Sequence, residues 1–150
     1  MEDKKRANIS DHDRDLLYKN SKLLGLGSMQ AREIFAMTMA LGMDEPQKLP
    51  AKSTSWIRPE TFDTGNIAII AALRLGADDI TDDNINEHAN YNDCMTYANM
   101  CSYTGFRKLE QKIEEANGNN DELVGELMRE LDRLYRKNVE TRDWGLVARD

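Results

Sequence analysis

The chain is poor in the residues that hold folds together covalently or through metals. It has two cysteines, Cys94 and Cys101, in 150 residues. On one helix their spacing is two turns, about 10 Å along the axis, too far for a bridge within it. A disulfide framework is excluded, and both thiols read as small buried groups in a reducing compartment. The two histidines, His12 and His88, have no H-x-x-x-H or C-x-x-C company, so the spacing writes no zinc site. "DDITDDNINE", residues 78–87, lacks the central glycine of a calcium loop and places Ile80 where an oxygen ligand is needed. It reads as an acidic first turn favoured by the helix dipole. "GLGS", residues 25–28, precedes a helix but lacks the rest of a phosphate loop, and reads as a linker. His88 and Cys94 fall on different helix faces and make no nucleophile–base pair. The sequence predicts no catalytic residue, no metal and no cofactor.

Other absences narrow the setting. No apolar run approaches the roughly 18 residues that span a bilayer. The opening "MEDKKRANISDHDRD" has no apolar core of a secretory signal. A cytoplasmic protein without membrane contact is expected. Positive charge is in deficit: 20 Lys and Arg stand against 27 Asp and Glu, a formal net charge of -7. That disfavours a broad nucleic-acid footprint, which needs clustered cations, and leaves only a local basic patch. No internal repeat and no hairpin signal appear.

What is present is helical patterning on a scale that suits one domain, large enough to bury about 68–70% of its unfolded surface. Residues 1–9 read as a disordered charged arm. Ser10 caps a helix carrying Leu16, Leu17, Leu23 and Leu24, closed by Gly25 and Gly27. Ser28 caps a second, "MQAREIFAMTMALGM", apolar on nearly every side and closed by Gly42 and Pro46. "DEPQKLPAKSTS" is loop. Thr64 caps "GNIAIIAALRLG", with Phe62 placed as a staple. From Thr81 a longer element carries Tyr91, Cys94, Met95, Ala98, Cys101, Gly105, Leu109 and Ile113 on one stripe. Gly105 interrupts it at about 1 kcal/mol relative to Ala and marks a kink or a close helix crossing. The last helix, "DELVGELMRELDRLYRKN", aligns Leu123, Val124, Leu127, Met128, Leu131, Leu134 and Tyr135. Val124, Leu127, Leu131 and Leu134 keep a coiled-coil spacing over two heptads, short of the three or four a stable coiled coil needs, so packing inside the domain is favoured. The expectation is an all-α fold: a compact five-helix single domain over 10–137 with two buried central helices, 29–43 and 65–76, and a tail at 138–150.

The stretch between those central helices has the residue types of a contact surface. Lys48, Lys52 and Arg58 gather around Trp56, with Ile57 and Glu60 setting the loop. Trp and Arg dominate interface hot spots, and cation with aromatic groups also suits phosphate and base. The plainer alternative packs the indole on the core edge and leaves the lysines solvated. Trp144, with Leu146 and Val147, either docks back on the domain or inserts into another subunit. Gly42 and Gly65 are read as permitting tight chain reversal on either side of the loop.

Three segments together resemble a known family. "MQAREIFAMTMALGM" resembles the pattern N-K-D-V-F-x-F-A-x-A-L-G, through Phe35, Ala36, Ala40, Leu41 and Gly42. "KSTSWIRPETF" resembles a P-L-x-x-x-x-x-F-I-R-x-E-x-F loop, through Ile57, Arg58 and Glu60. "NEHANYNDCMTYANMCSYTGFRKLEQKI" is similar to a late helix with E-x-A-N-x-G-I, through Ala98, Gly105 and Phe106. The order is similar to small accessory proteins encoded beside prokaryotic DNA sulfur-modification (phosphorothioation) and related antiphage clusters. The resemblance spans roughly residues 28–115. Met37 and Met39 depart from it, as does the longer "ANMCSYTGF". It implies a role near DNA-modification or defence machinery and supplies no catalytic residue.

Three expectations result. The first is a non-enzymatic accessory subunit that presents the 48–62 loop, and the tail, to a larger protein, with a homodimer also open. The second is a small DNA-binding regulator using the same loop with Lys4, Lys5 and Arg6. The third is a small-molecule sensor with a pocket lined by Met37, Met39, Met95 and Met100.

Overall fold

The structure, a computed structural model, describes residues 3–141, with side chains as far as Lys137. Strand β1 (Ala7–Ser10) leads into α1 (Asp11–Lys19), a 3-10 turn (Leu23–Ser28) and α2 (Ala31–Leu41). Strand β2 (Ser53–Ile57) and a short 3-10 turn (Pro59–Thr61) precede α3 (Thr64–Leu75). A one-turn helix α4 (Ile85–His88) leads to the long α5 (Tyr91–Ala116) and to α6 (Asn120–Thr141). The fold is mostly helical, as expected. It departs from all-α in one respect: β1 and β2 form a two-stranded antiparallel sheet. Among the described residues no helix is long and apolar enough to cross a membrane.

Local chemistry explains the helix starts. Ser10 Oγ accepts from Asp13 N at 3.1 Å, as its position before α1 predicts. α2 starts two residues later than Ser28 would place it, because Gln30 and Glu33 form a reciprocal capping box. Asp63, not Thr64, caps α3, in a box with Asn66. Asn90 caps α5 through Asp93 N, which separates α4 from it. Asn117 (φ 49°) and Gly118 (φ 80°) end α5 in left-handed backbone. Leu23 and Leu24 do not extend α1. They lie in the 3-10 turn, where Leu24 itself is left-handed (φ 55°), its N–H held by Asn120 Oδ1 at 2.7 Å.

α5 is the axis of the molecule. α2 crosses its middle, α3 and the ribbon lie along its first half, and α6 runs back against its second half. The crossing of α2 over α5 has no room for side chains. A Cβ on Gly105 would sit 1.7 Å from the Thr38 carbonyl oxygen, and one on Gly42 would sit 1.9 Å from the Cys101 carbonyl oxygen. Gly105 therefore marks a close crossing, and Gly42 serves that crossing rather than a chain reversal. Gly65 lies exposed in the first turn of α3 without positive φ, and its expected reversal role is absent. Beside the crossing, the buried hydroxyls of Thr38 and Ser102 bond at 2.7 Å.

The pair of central helices is thus α2 and α5, not α2 and α3. α3 buries only Ile70 and Arg74, and Ile69 is 56% exposed. Two apolar clusters divide the core. One joins α1, α2, α6 and the second half of α5 around Leu41, Phe106, Leu109 and Leu123. The other joins the ribbon, α2, α3 and the first half of α5 around Phe35, Ile57, Phe62 and Met95. Met37 packs on the first cluster while Met39 and Met95 belong to the second, so the expected methionine pocket is divided between two packed cores.

Charge fastens α6. Lys108 Nζ bonds Asp44 at 2.8 Å and Glu130 at 3.0 Å, and Arg133 reaches both acids. Burial alone would raise the Asp44 carboxyl; Lys108, with Arg133 and Lys137 behind it, outweighs burial and holds it below 3.8. Arg133, then Lys108, hold Glu130 below 4.5 against its burial. Both folded-state values are lowered, so the stability these groups contribute is complete above 3.8 and 4.5 and is lost as pH falls through the lower folded values. Lys108→Met should make the acid limb of Tm against pH shallower; an unchanged limb would place the acid sensitivity elsewhere.

The crossing makes a sharper prediction. Gly105→Ala should cost roughly 3 kcal/mol or prevent folding, because two backbones must separate. Gly125→Ala, in α6 with ordinary contacts no closer than 3.7 Å, should be neutral or stabilise by up to about 1 kcal/mol. Chemical denaturation of the two variants measures the contrast.

Candidate interaction surface

The amino-terminal segment is not a free arm. Asn92 Oδ1 accepts from Lys5 N–H at 2.8 Å, and its Nδ2 donates to the Asp3 carbonyl at 3.0 Å. Two turns further along α5, Asn99 repeats the arrangement: its Oδ1 accepts from Asn8 N–H at 2.8 Å and its Nδ2 donates to the Arg6 carbonyl at 3.2 Å. Each side-chain amide thus offers the donor and acceptor that a neighbouring strand would offer. Tyr91 Oη adds a bond to the Lys5 carbonyl at 3.0 Å. Asparagines seven apart on a helix share a face, so α5 grips residues 3–8 as an extended chain. The expected disorder of 1–9 gives way from residue 3 onward, and Ala7 and Ile9 are buried.

β2 pairs with the other side of β1. Ala7 faces Ile57 and Asn8 faces Ser55, so Trp56 is an extra residue, a bulge. The bulge resets the alternation of the strand. Ile57 is buried, Ser55 is exposed, and Thr54 faces Ile9 and donates to Asp11 Oδ1 at 3.0 Å. The indole of Trp56 meets Phe35 edge-on at 6.2 Å between centroids and Phe106 at 6.0 Å. It packs against both core clusters. Of its two readings, outward anchor or core-edge packing, the structure favours the second: Trp56 is a half-buried seal between the two halves of the core.

The cations behave differently. Lys48, Lys52 and Arg58 are exposed, and their charged groups make no hydrogen bond or ion pair among the described residues. Glu60 is exposed nearby, and the field of its carboxylate helps burial raise the Tyr91 phenol. The backbone that carries the lysines is sewn to α5. Thr104 Oγ1 donates to the Glu45 carbonyl, and Gln47 N–H donates to the Met100 carbonyl at 3.2 Å. Asp11 N–H then donates to the Lys52 carbonyl at 3.0 Å. Lys4 and Lys5 are turned to α5: Lys4 lies over the Tyr91 ring at 5.5 Å and Lys5 Nζ donates to Thr96 Oγ1 at 2.7 Å. Trp144, with the rest of the tail beyond Thr141, lies outside the described residues.

One charged cluster escaped the reading of the sequence. Arg74, 6% exposed, bonds Asp93 at 2.7 Å and Asp79 at 2.9 Å. Its Nη2 lies 3.1 Å from His88 Nδ1, and its guanidinium stacks on Tyr97 at 4.7 Å. Burial would raise the Asp93 carboxyl; the bonds from Arg74 and His88 reverse that and hold it below 3.8. The signal was a single cation near the end of an apolar helix, followed by "ADD". The cluster ties the end of α3 and the 77–90 connection to α5. The thiols beside it are free and buried, and burial pushes Cys101 up to about 12. Among the described residues no group of three or more His, Cys, Asp or Glu is placed to hold a metal.

Comparison of the chain with protein-family models, with curated proteins and with solved structures finds no match. The surface must be read from its own geometry. Asn99→Ala leaves the Asn8 N–H and the Arg6 carbonyl without partners, and should cost about 1–3 kcal/mol. Faster hydrogen exchange at Asn8 and neighbouring amides, without loss of helix, is the expected signature.

Proposed function

We propose that the chain is a non-enzymatic interaction subunit that receives an extended, acidic segment of a larger protein along the outer side of β2. The supporting observation is the asymmetry of the ribbon. β1 is closed on one side by Asn92 and Asn99 and on the other by β2, whereas β2 has β1 as its only strand neighbour among the described residues. A strand edge offers backbone donors and acceptors to a second chain. Lys48 and Lys52 stand before the strand and Arg58 after it, so the edge is flanked by positive charge in an otherwise acidic protein. Arg58 is the anchor in this reading. Trp56 and Ile57 hold the strand in place from inside. The resemblance of the Ile57–Arg58–Glu60 segment to the sulfur-modification accessory proteins supplies the class of partner: a large subunit of a DNA-modification or antiphage assembly.

Charge reversal at Lys48, Lys52 and Arg58 tests this. The three side chains are exposed, so the melting temperature should hold while partner affinity falls by about 2 kcal/mol or more. Affinity purification from the native host should recover one stoichiometric protein with the wild-type chain and lose it with the triple variant. Equal recovery by both removes the proposal. Retention of a labelled DNA duplex with steep salt dependence would favour the DNA-binding alternative.

A further inference from the structure

The turn between α5 and α6 holds the one Asn–Gly pair in the sequence, Asn117–Gly118. Both residues are exposed, and both have left-handed backbone, at φ 49° and 80°. The residues that follow are tied down. Asn119 Oδ1 accepts from Glu122 N–H at 3.0 Å in the first turn of α6, and Asn120 Oδ1 accepts from Leu24 N–H at 2.7 Å. The pair itself is free: the Asn117 side-chain amide and the Gly118 N–H have no hydrogen-bond partner among the described residues. A Cβ on Gly118 would meet nothing within 4 Å, so the turn is uncovered. An electrophile, the amide carbon of Asn117, thus precedes a nucleophile, the Gly118 nitrogen, with no side chain on Gly118 to hinder their approach.

We infer that Asn117 is a site of self-modification, which turns its link to Gly118 into an isoaspartyl one and loosens the junction of α5 and α6. The Gly118 nitrogen bonds to Asn117 Cγ; its proton and the side-chain NH2 leave together as ammonia. Water, the one co-reactant, then opens the five-membered imide. Cleavage between the Asn117 main-chain carbonyl carbon and the Gly118 nitrogen leaves the isoaspartyl link, and cleavage at Cγ leaves aspartate. At ψ 46° the Gly118 nitrogen is turned away from the side chain, so the turn must first swing open. That breaks the bond which Asn119 N–H donates to the Ala116 carbonyl at 3.0 Å. Exposed chain ends and loops open at little cost, and opening relieves the left-handed strain of Asn117. The product fits the fold less well. Its main chain is longer by the Asn117 β-carbon, which shifts Asn119 and Asn120 from the bonds they make to Glu122 and Leu24. Its new carboxylate stands at the negative end of the α5 dipole, after Glu114 and Glu115. The reaction is independent of the β2 edge and of any partner.

The test holds the full chain in mildly alkaline buffer, digests it with trypsin, and follows the 113–129 peptide by mass spectrometry beside a synthetic peptide of the same sequence. The folded chain should gain about one mass unit there, at a rate within about a hundredfold of the free peptide's. Two products of equal mass should separate, isoaspartyl in excess of aspartyl. Gly118→Ala should slow the change at least tenfold in the synthetic peptide, where strain from the left-handed backbone plays no part. Asn117→Gly removes the electrophile and suits the left-handed backbone, so the protein variant should keep its melting temperature and show no change in that peptide. The modified chain, separated by its extra negative charge, should melt below the unmodified one. A rate slower than the stated range overturns the inference. So does an aspartyl product alone, a Gly118→Ala peptide that converts as fast as wild type, or a modified chain that melts with the unmodified one.

Discussion

The contact on which the rest depends is the one between two peptide backbones where α2 crosses α5. Gly42 and Gly105 remove the side chains that would hold the helices apart. Ordinary helix pairs sit 8–10 Å apart with side chains between them. Here each helix lies in the groove of the other, and Thr38 meets Ser102 hydroxyl to hydroxyl. That closeness divides the interior. What lies on one side of the crossing packs with α1 and α6, and what lies on the other packs with α3 and the ribbon. Two cores that share a pinched waist need something to span it, and the ring of Trp56 does so, touching Phe35 in one and Phe106 in the other.

The bulge at Trp56 follows from that demand. A regular strand would turn either the indole or Ile57 outward, because successive side chains alternate. One extra residue lets both face inward and turns Ser55 to the solvent. The same residue fixes the register of β2 and so the direction in which Arg58 leaves the strand. A core requirement thus sets the geometry of the outer surface. The asparagine clamps act in concert: by occupying the far side of β1 they leave β2 as the edge strand among the described residues.

Much of this was legible in the residues. The stripe from Tyr91 to Ile113 located α5, and Gly105 within it pointed to a kink or a close crossing. The acidic start located α6, which runs on to Thr141, past the basic residues expected to close it. The misreadings have physical causes. "GNIAIIAALRLG" is apolar on most sides, yet α3 lies at the margin and leaves Ile69 in solvent. Composition records how greasy a helix is but not how many neighbours it has. β1 and β2 are short and distant in sequence, so no turn joins them and no local pattern announces them. β1 is held as much by amides of α5 as by its strand partner, and asparagines on a helix carry no mark of that use. Trp56 and Arg58 are two residues apart and looked alike as anchors; only the bulge separates a core residue from a surface one.

Ionic contacts stiffen the scaffold beneath its exposed surfaces. Asp44, at the exit of α2, takes Lys108 from α5 and Arg133 from α6. The chain that follows is bonded to α5 at Glu45 and Gln47 before it delivers Lys48 and Lys52. Arg74 does the same for the connection between α3 and α5. Side chains that carry net charge to the exterior therefore hang from backbone that is fixed every few residues. A surface built this way is pre-ordered, since its backbone is already fixed within the fold itself. The cationic flank of β2 has that property: it is carried by a strand whose other edge is paired with β1 and whose Ile57 is buried.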